Sequence, residues 1–499
     1  MRIYIVIRIE FKFAENKNGK VKKDGGESDY DKYVIVSNIS SLSLGTMIGW
    51  QSPTIPQLQS ENPPVGNEPM TNEAASWLTG ITCITAALTS LIVGTIANRF
   101  GRKMTGYLMA FALCSNWLFT TIATQQTYLF IARFFAGISG GMALFLVPLY
   151  VSEIASDGIR GMLGSLLVFL LNGGILLGYI LGAVLSYRLF SIIMLALPLL
   201  YIVLFPFVPE SPVYLLRRNR INEAARGGHK PTMEREMLRL QEEAKELDVP
   251  GRSTNKLSEM FRDQATIKGL FITLGLFGGQ QLAGIFVMIS YTEMIFKISG
   301  SSLSPNSSAI IVGVIQVFGS CLSTTLVERV GRRPLLLTSC LGMGTCHFVL
   351  GVFCYLQTLG YDVSQFSWIS IVALSVYMIA YGLGMGPGPY VISSEILSRD
   401  VASSIVTLGM FTAWGMAFVV VKLFPSVLAL LGMHGCFFLF GIFCATTFAF
   451  IFILIPETKG QPRQVILDRL NGIFYALDNK QYVSSNEITK RNAPLPELI

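Results

Sequence analysis

The sequence predicts an all-α membrane protein of twelve transmembrane helices, arranged as two similar six-helix halves. Three observations predict it: an apolar composition, twelve long apolar stretches, and a set of charged blocks that recurs in order. Of 499 residues, 52% are hydrophobic and 14% charged, with mean hydropathy +0.54. Soluble domains carry about a quarter charged residues. The stretches are 33–50, 75–97, 104–123, 127–151, 162–187, 189–208, 266–290, 308–327, 334–357, 366–392, 402–424 and 433–455. Each is long enough, as a helix, to cross about 30 Å of hydrocarbon.

The repetition begins with Asn98-Arg99-Phe100-Gly101-Arg102-Lys103, which recurs as Glu328-Arg329-Val330-Gly331-Arg332-Arg333. Both blocks fill short gaps between apolar stretches, and lipid does not accept that many cations, so both are turns at a membrane face. Ser152-Glu153-Ile154 with Arg160, after stretch four, is echoed by Ser394-Glu395-Ile396 with Arg399, after stretch ten. Pro209-Glu210-Ser211 after stretch six is echoed by Pro456-Glu457-Thr458 after stretch twelve. The chain therefore reads as a duplicated six-span unit. Transporters use such repeats to expose a central site to two sides alternately.

The net charge is +7, and its placement matters more than its size. Arg and Lys gather at 99–103, between Arg217 and Lys268, and at 329–333, all on one side of a twelve-span count. The other side carries Arg188, Lys297 and Lys422. This positive-inside pattern places both termini and the central loop in the cytoplasm and argues against a nucleic-acid partner. The division that follows is an N-terminal tail (1–32), a first bundle (33–209), a cytoplasmic linker (210–265), a second bundle (266–458) and a C-terminal tail (459–499). Met1–Arg8 is no signal peptide, and residues 1–30 are expected to be a disordered tail or the product of an early start codon. The linker stretch 233–245 is rich in helix formers with opposite charges four apart, which fits short amphipathic helices or a solvated connector. Asn306-Ser307-Ser308 is a glycosylation sequon in the loop before stretch eight.

Eight cysteines without CxxC spacing give no metal or redox site. Walker, HExxH and Ser/His/Asp signatures are missing, so neither an enzyme nor a cofactor is expected. The charged blocks carry a different expectation. Arg99, Arg102, Lys103, Glu153, Arg160 and Glu210 of the first half face Glu328, Arg329, Arg332, Arg333, Glu395, Arg399 and Glu457 of the second. Opposite charges screened from water bind better than surface pairs, so a cytoplasmic clasp across the halves is expected, static anchors being the alternative.

Gly384-Met385-Gly386-Pro387-Gly388-Pro389 in stretch ten must bend or break its helix, which makes Pro387 and Pro389 gating candidates. Gln280 and Gln281 are adjacent amides among Phe, Gly and Leu in stretch seven. An unpaired amide costs several kcal/mol in hydrocarbon, so these two face a cavity or another helix.

Taken together, Gly94-x3-Asn98-Arg-x-Gly-Arg-Lys103, Arg133-x3-Gly137, Val147-Pro-x-Tyr-x-Ser-Glu153, Pro209-Glu-Ser-Pro212, Gln280-Gln-Leu-Ala-Gly-Ile285, Gly386-Pro-Gly-Pro389 and Pro456-Glu-Thr-Lys-Gly460 resemble the sugar porter family of the major facilitator superfamily. The match runs in order over residues 33 to 460 and looks most like the insect facilitated trehalose-transporter-like and glucose-facilitator-like group. The resemblance implies the major facilitator fold and alternating-access transport of a hexose or trehalose-class sugar in the plasma membrane, with the bilayer as surroundings and a monomer as the working unit. It makes Gln280, Gln281, Gln316, Tyr390 and Trp414 sugar contacts and Tyr291 an outer gate. Against the family pattern, polar residues are replaced by Val168, Phe286, Gly382 and Ala413. Asn172, one turn beyond Val168, is a candidate replacement. Span one holds no Asp or Glu between Val34 and Trp50, which favours facilitated diffusion over a proton-coupled symporter. A non-transporting sugar-sensing receptor is the remaining alternative.

Overall fold

The computed structural model describes residues 27–154, 160–218 and 264–471, apart from single positions 302, 398 and 462, together with 220, 223, 473–475 and 482–484. The N-terminal residues 1–26 and nearly all of the linker, including 233–245, lie outside the described residues. So do the side chains of Arg160, Glu328, Arg329 and Arg399.

Nine described segments are long and apolar enough to cross a membrane. The last, Val401–Leu454, holds two spans, because the helix Arg399–Leu454 is kinked at Gly432 (φ 69°, ψ 176°). The two remaining spans are less apolar for identifiable reasons. Span one (Glu27–Gly49) buries Ser37, Ser40, Ser41, Ser43 and Thr46. Hydroxyls such as Ser37 Oγ (to the Tyr33 carbonyl, 2.9 Å) and Thr46 Oγ1 (to the Ser43 carbonyl, 2.8 Å) bond back to their own helix, which makes them tolerable away from water. Span three (Arg102–Ile122) buries Ser115, Asn116 and Thr120. The count is twelve.

Spans two (Asn72–Phe100), four (Gln126–Ile154), five (Arg160–Val184) and six (Tyr187–Leu204) complete the first half. Spans eight (Pro305–Val330), nine (Arg332–Thr358), ten (Trp368–Leu383, then Gly388–Ile396), eleven and twelve follow span seven in the second. Span seven (Gln264–Ser290) is split into Gln264–Leu282 and Ile285–Ser290, and the short helix Thr292–Ser299 follows it. The only described strands, Ile473–Tyr475 and Tyr482–Ser484, form a short antiparallel hairpin beyond the last span.

Small residues set the closest approaches. A Cβ on Gly45 would lie 2.0 Å from the Leu171 carbonyl, so spans one and five touch backbone to backbone. Spans two and eleven, and five and eight, join the halves.

Candidate functional site

The two basic turns lie at one end, here called the basic end. Gly101 (φ 92°) and Gly331 (φ 111°) make the turns in a left-handed conformation that favours glycine. Each turn opens a helix whose first N–H groups are met by a carboxylate. Glu210 Oε1 accepts from the Arg102 N–H at 2.9 Å, and Glu457 Oε1 accepts from the Arg332 N–H at 3.1 Å. The carboxylates thus sit on the positive ends of helix dipoles. Lys103 and Arg333 reach carbonyls of their own half, Pro206 at 2.7 Å and Phe452 at 2.6 Å. Arg99 lies over the Phe100 ring.

The ion pairs also close inside each half. Arg102 forks onto Glu153, Nε to Oε2 at 2.9 Å and Nη2 to Oε1 at 2.6 Å, with 3% and 8% of the two side chains exposed. Arg332 meets Glu395 at 3.2 Å, and these are 21% and 26% exposed. The expected clasp across the halves is therefore not what these pairs form. Among the described residues, Glu153, Glu210, Glu395 and Glu457 each meet a cation or an N–H of their own half, because the turn between spans two and three presents its cation to the end of span four, and the duplicate turn does the same.

Among the described residues, hydrogen bonds between the halves lie at the middle and the far end. Tyr179 Oη donates to the Ile289 carbonyl at 2.8 Å and lies 3.1 Å from Thr292 Oγ1. The Glu293 N–H donates to Ser52 Oγ at 3.1 Å. Lys422 Nζ donates to Ser76 Oγ at 2.9 Å and sits 4.5 Å above the Trp77 ring. Tyr291, expected as a gate, is buried here with its ring 5.1 Å from Phe424.

At mid-membrane the expected amides divide into two roles. Gln280 is buried, and its Nε2 donates to the carbonyls of Met385 (2.6 Å) and Gly386 (3.0 Å) in the break of span ten, just before Pro387 and Pro389. Its donor is occupied. Gln281 Nε2 donates to Gln280 Oε1 at 3.3 Å, which leaves the buried Gln281 Oε1 without a donor. Gln316 Nε2 donates to Asn172 Oδ1 at 3.0 Å, an amide bridge from one half to the other, and leaves the buried Gln316 Oε1 free. Trp414 meets Phe286 edge-on at 5.7 Å and lies opposite Gly140, whose Cβ would be 3.8 Å away. Phe286, where the resemblance leads one to expect an amide, thus walls the tryptophan. Tyr390 stands edge-on to Phe277 at 4.9 Å and stays 37% exposed, as does Val168 at 38%.

One buried cation escaped the reading of the sequence as a site. Arg133 is fully buried in span four, with Nη2 on Asn116 Oδ1 at 2.7 Å, Nη1 3.4 Å from the Met47 carbonyl, and the guanidinium 4.3 Å from the Trp50 ring. None of these partners is a carboxylate. A charged residue inside an apolar helix was the available signal.

Residues 29–466 match the family described as Sugar (and other) transporter. The chain belongs to this family. It is 30% identical over 442 residues to the facilitated trehalose transporter Tret1 of Anopheles gambiae, covering 87% of this chain and 55% of that one. Against the Tret1 of Apis mellifera ligustica it is 30% identical over 443 residues and covers 87% of both. The chain spans about half the length of the mosquito and Drosophila relatives. Its fold is similar to the proton:xylose symporter XylE bound to 6-bromo-6-deoxy-D-glucose, with TM-score 0.71 and 25% identity over 89% of this chain and 99% of that one.

Proposed function

We propose that this chain carries a sugar of the hexose or trehalose class across the plasma membrane by alternating access, as a uniporter and a monomer. The observation that carries the reading is the pair of buried amide oxygens, Gln281 Oε1 and Gln316 Oε1, neither of which meets a donor, the second on an amide that bridges the two halves. Sugar hydroxyls donate as well as accept, and a buried acceptor left unpaired is costly, so a polyhydroxylated ligand suits this lining. Trp414 supplies a flat apolar face beside it. With the basic end in the cytoplasm, the cross-half contacts at the far end shut the outer side, and the substrate would leave past Val168 and Tyr390.

Facilitated diffusion is favoured by the surroundings of Arg133. Its described hydrogen-bond and ring partners are an amide, a carbonyl and an indole, none of them a carboxylate of the kind that relays protons inside a membrane. The insect relatives are facilitated transporters, which agrees with a facilitated carrier, whereas the structural neighbour is a proton symporter. The test is uptake of labelled glucose, trehalose, xylose and polyols by vesicles carrying the purified chain, with and without a protonophore. Uptake of one of these sugars that ignores the protonophore is expected. Collapse of uptake with the proton gradient refutes uniport, and no uptake of any sugar refutes the substrate class.

A further inference from the structure

Two spans of the second half are broken, and both breaks lie against span nine. Span seven stops at Leu282 and restarts at Ile285 through Gly284, whose φ of 86° favours glycine. At this break the Ala283 carbonyl takes two side chains: Tyr377 Oη of span ten at 2.8 Å and His347 Nε2 of span nine at 3.0 Å. A carbonyl only accepts, so the imidazole must carry its proton on Nε2.

Span ten stops at Leu383 and restarts at Gly388. Into this second break reaches Ser339, eight residues before His347 on span nine and so about 12 Å along the same helix. Its Oγ donates to the Ala380 carbonyl at 2.6 Å and accepts from the Met385 N–H at 3.1 Å. One hydroxyl thereby bridges the ladder that the break interrupts. Gln280 of span seven holds the opposite side of the same break through the Met385 and Gly386 carbonyls. Gly384 lets the break press on span nine, since a Cβ there would lie 2.3 Å from the Leu335 carbonyl. Every one of these bonds joins two of the three helices. Bending either broken helix alone would strand a donor or a carbonyl away from water.

We propose that Ser339 and His347 are positioning residues: span nine is a splint that ties the breaks in spans seven and ten together, so that the two broken helices move as one body. The consequence for transport rests on the sugar-carrier reading, so one arm of the test does not use sugar.

That arm is hydrogen–deuterium exchange on the full chain in nanodiscs. His347→Phe keeps an aromatic ring and removes the donor. It is expected to raise exchange at least tenfold at 284–288 and also at 385–388, with the first half unchanged. Ser339→Ala should loosen the same two segments. His347→Gln, which retains a nitrogen donor, should restore protection. A rise confined to the mutated break, spread evenly over all spans, or absent overturns the splint. In vesicles, His347→Phe should change the ratio of sugar exchange to net entry at least threefold while the exchange KM stays within twofold. An unchanged ratio, or a ratio preserved by equal losses in both fluxes, also overturns it. If the unsubstituted chain moves no sugar while the exchange pattern appears as expected, the carrier reading fails and the splint stands.

Discussion

The duplicated charge pairs look equivalent in sequence and should not be equivalent in energy. Glu153→Gln removes the charge partner of Arg102, which is 97% buried and bonded to that carboxylate at 2.9 and 2.6 Å. Arg102 Nη1 still reaches the Ala97 carbonyl at 3.0 Å, but that neutralises nothing. Leaving one member of a buried pair alone costs about 3–5 kcal/mol. Glu395→Gln acts on a 3.2 Å pair whose members are 21% and 26% exposed, where water takes over part of the solvation, and should cost about 1 kcal/mol. The gap of about 2–4 kcal/mol corresponds to about thirty- to a thousandfold in the unfolding equilibrium. Reversible unfolding of the two variants in mixed micelles measures it directly. A double variant, Arg102→Leu with Glu153→Gln, should recover stability relative to Glu153→Gln alone, because no buried charge is left unpaired. Equal losses from Glu153→Gln and Glu395→Gln would refute the argument from burial.

Three further outcomes are expected. Gln281→Ala and Gln316→Leu each delete a buried acceptor that meets no donor and should raise the apparent KM for sugar about five- to thirtyfold, at about 1–2 kcal/mol per lost bond; unchanged kinetics in flux assays would remove either residue from the site. Glu293 lies beyond the span that ends at Ser290, and burial raises its carboxyl to about 7, with Lys297 opposing the rise. A raised carboxyl binds its proton more tightly in the closed far end than in the hydrated state. Closure is thus favoured fully below about pH 4.5 and loses that support as pH rises towards 7; far-end accessibility to an impermeant probe should increase over this window, and Glu293→Gln should flatten the dependence. Asn306 sits in the first turn of span eight, and with its amide nitrogen turned toward Glu293 it lies 2.6 and 3.3 Å from the two carboxylate oxygens. That nitrogen is the atom a glycan would need, so deglycosylation should leave the mobility of the protein unchanged; a shift on a gel would contradict the packing.

The charged echoes made the duplicated architecture legible because lipid tolerates cations only at turns, and the apolar stretches made the spans legible because hydrocarbon has a fixed thickness. Spans one and three were read correctly from sequence although their buried serines, threonines and Asn116 lower their hydropathy below that of the other spans. The amides of span seven were legible as facing a cavity or another helix for the same reason, since an unpaired amide has no place in lipid, whereas Gln316 of span eight was singled out only by the family resemblance. What each amide does was not legible. Gln280 and Gln281 are neighbours in the chain, yet one fills the break of span ten and the other keeps an open acceptor, a division set by carbonyls 105 and 106 positions away.

The amino-acid sequence by itself determined that this chain lies in a membrane, how many times it crosses, and that its halves repeat, because those features follow from the local cost of placing each residue in lipid or water. Only the tertiary structure decided that the acids pair within their own half, that Arg133 is held without a carboxylate, and that span nine supports both broken helices. Those outcomes depend on which backbone groups the folded helices bring together, and hydrogen bonds of about 3 Å cannot be read from spacing along a chain.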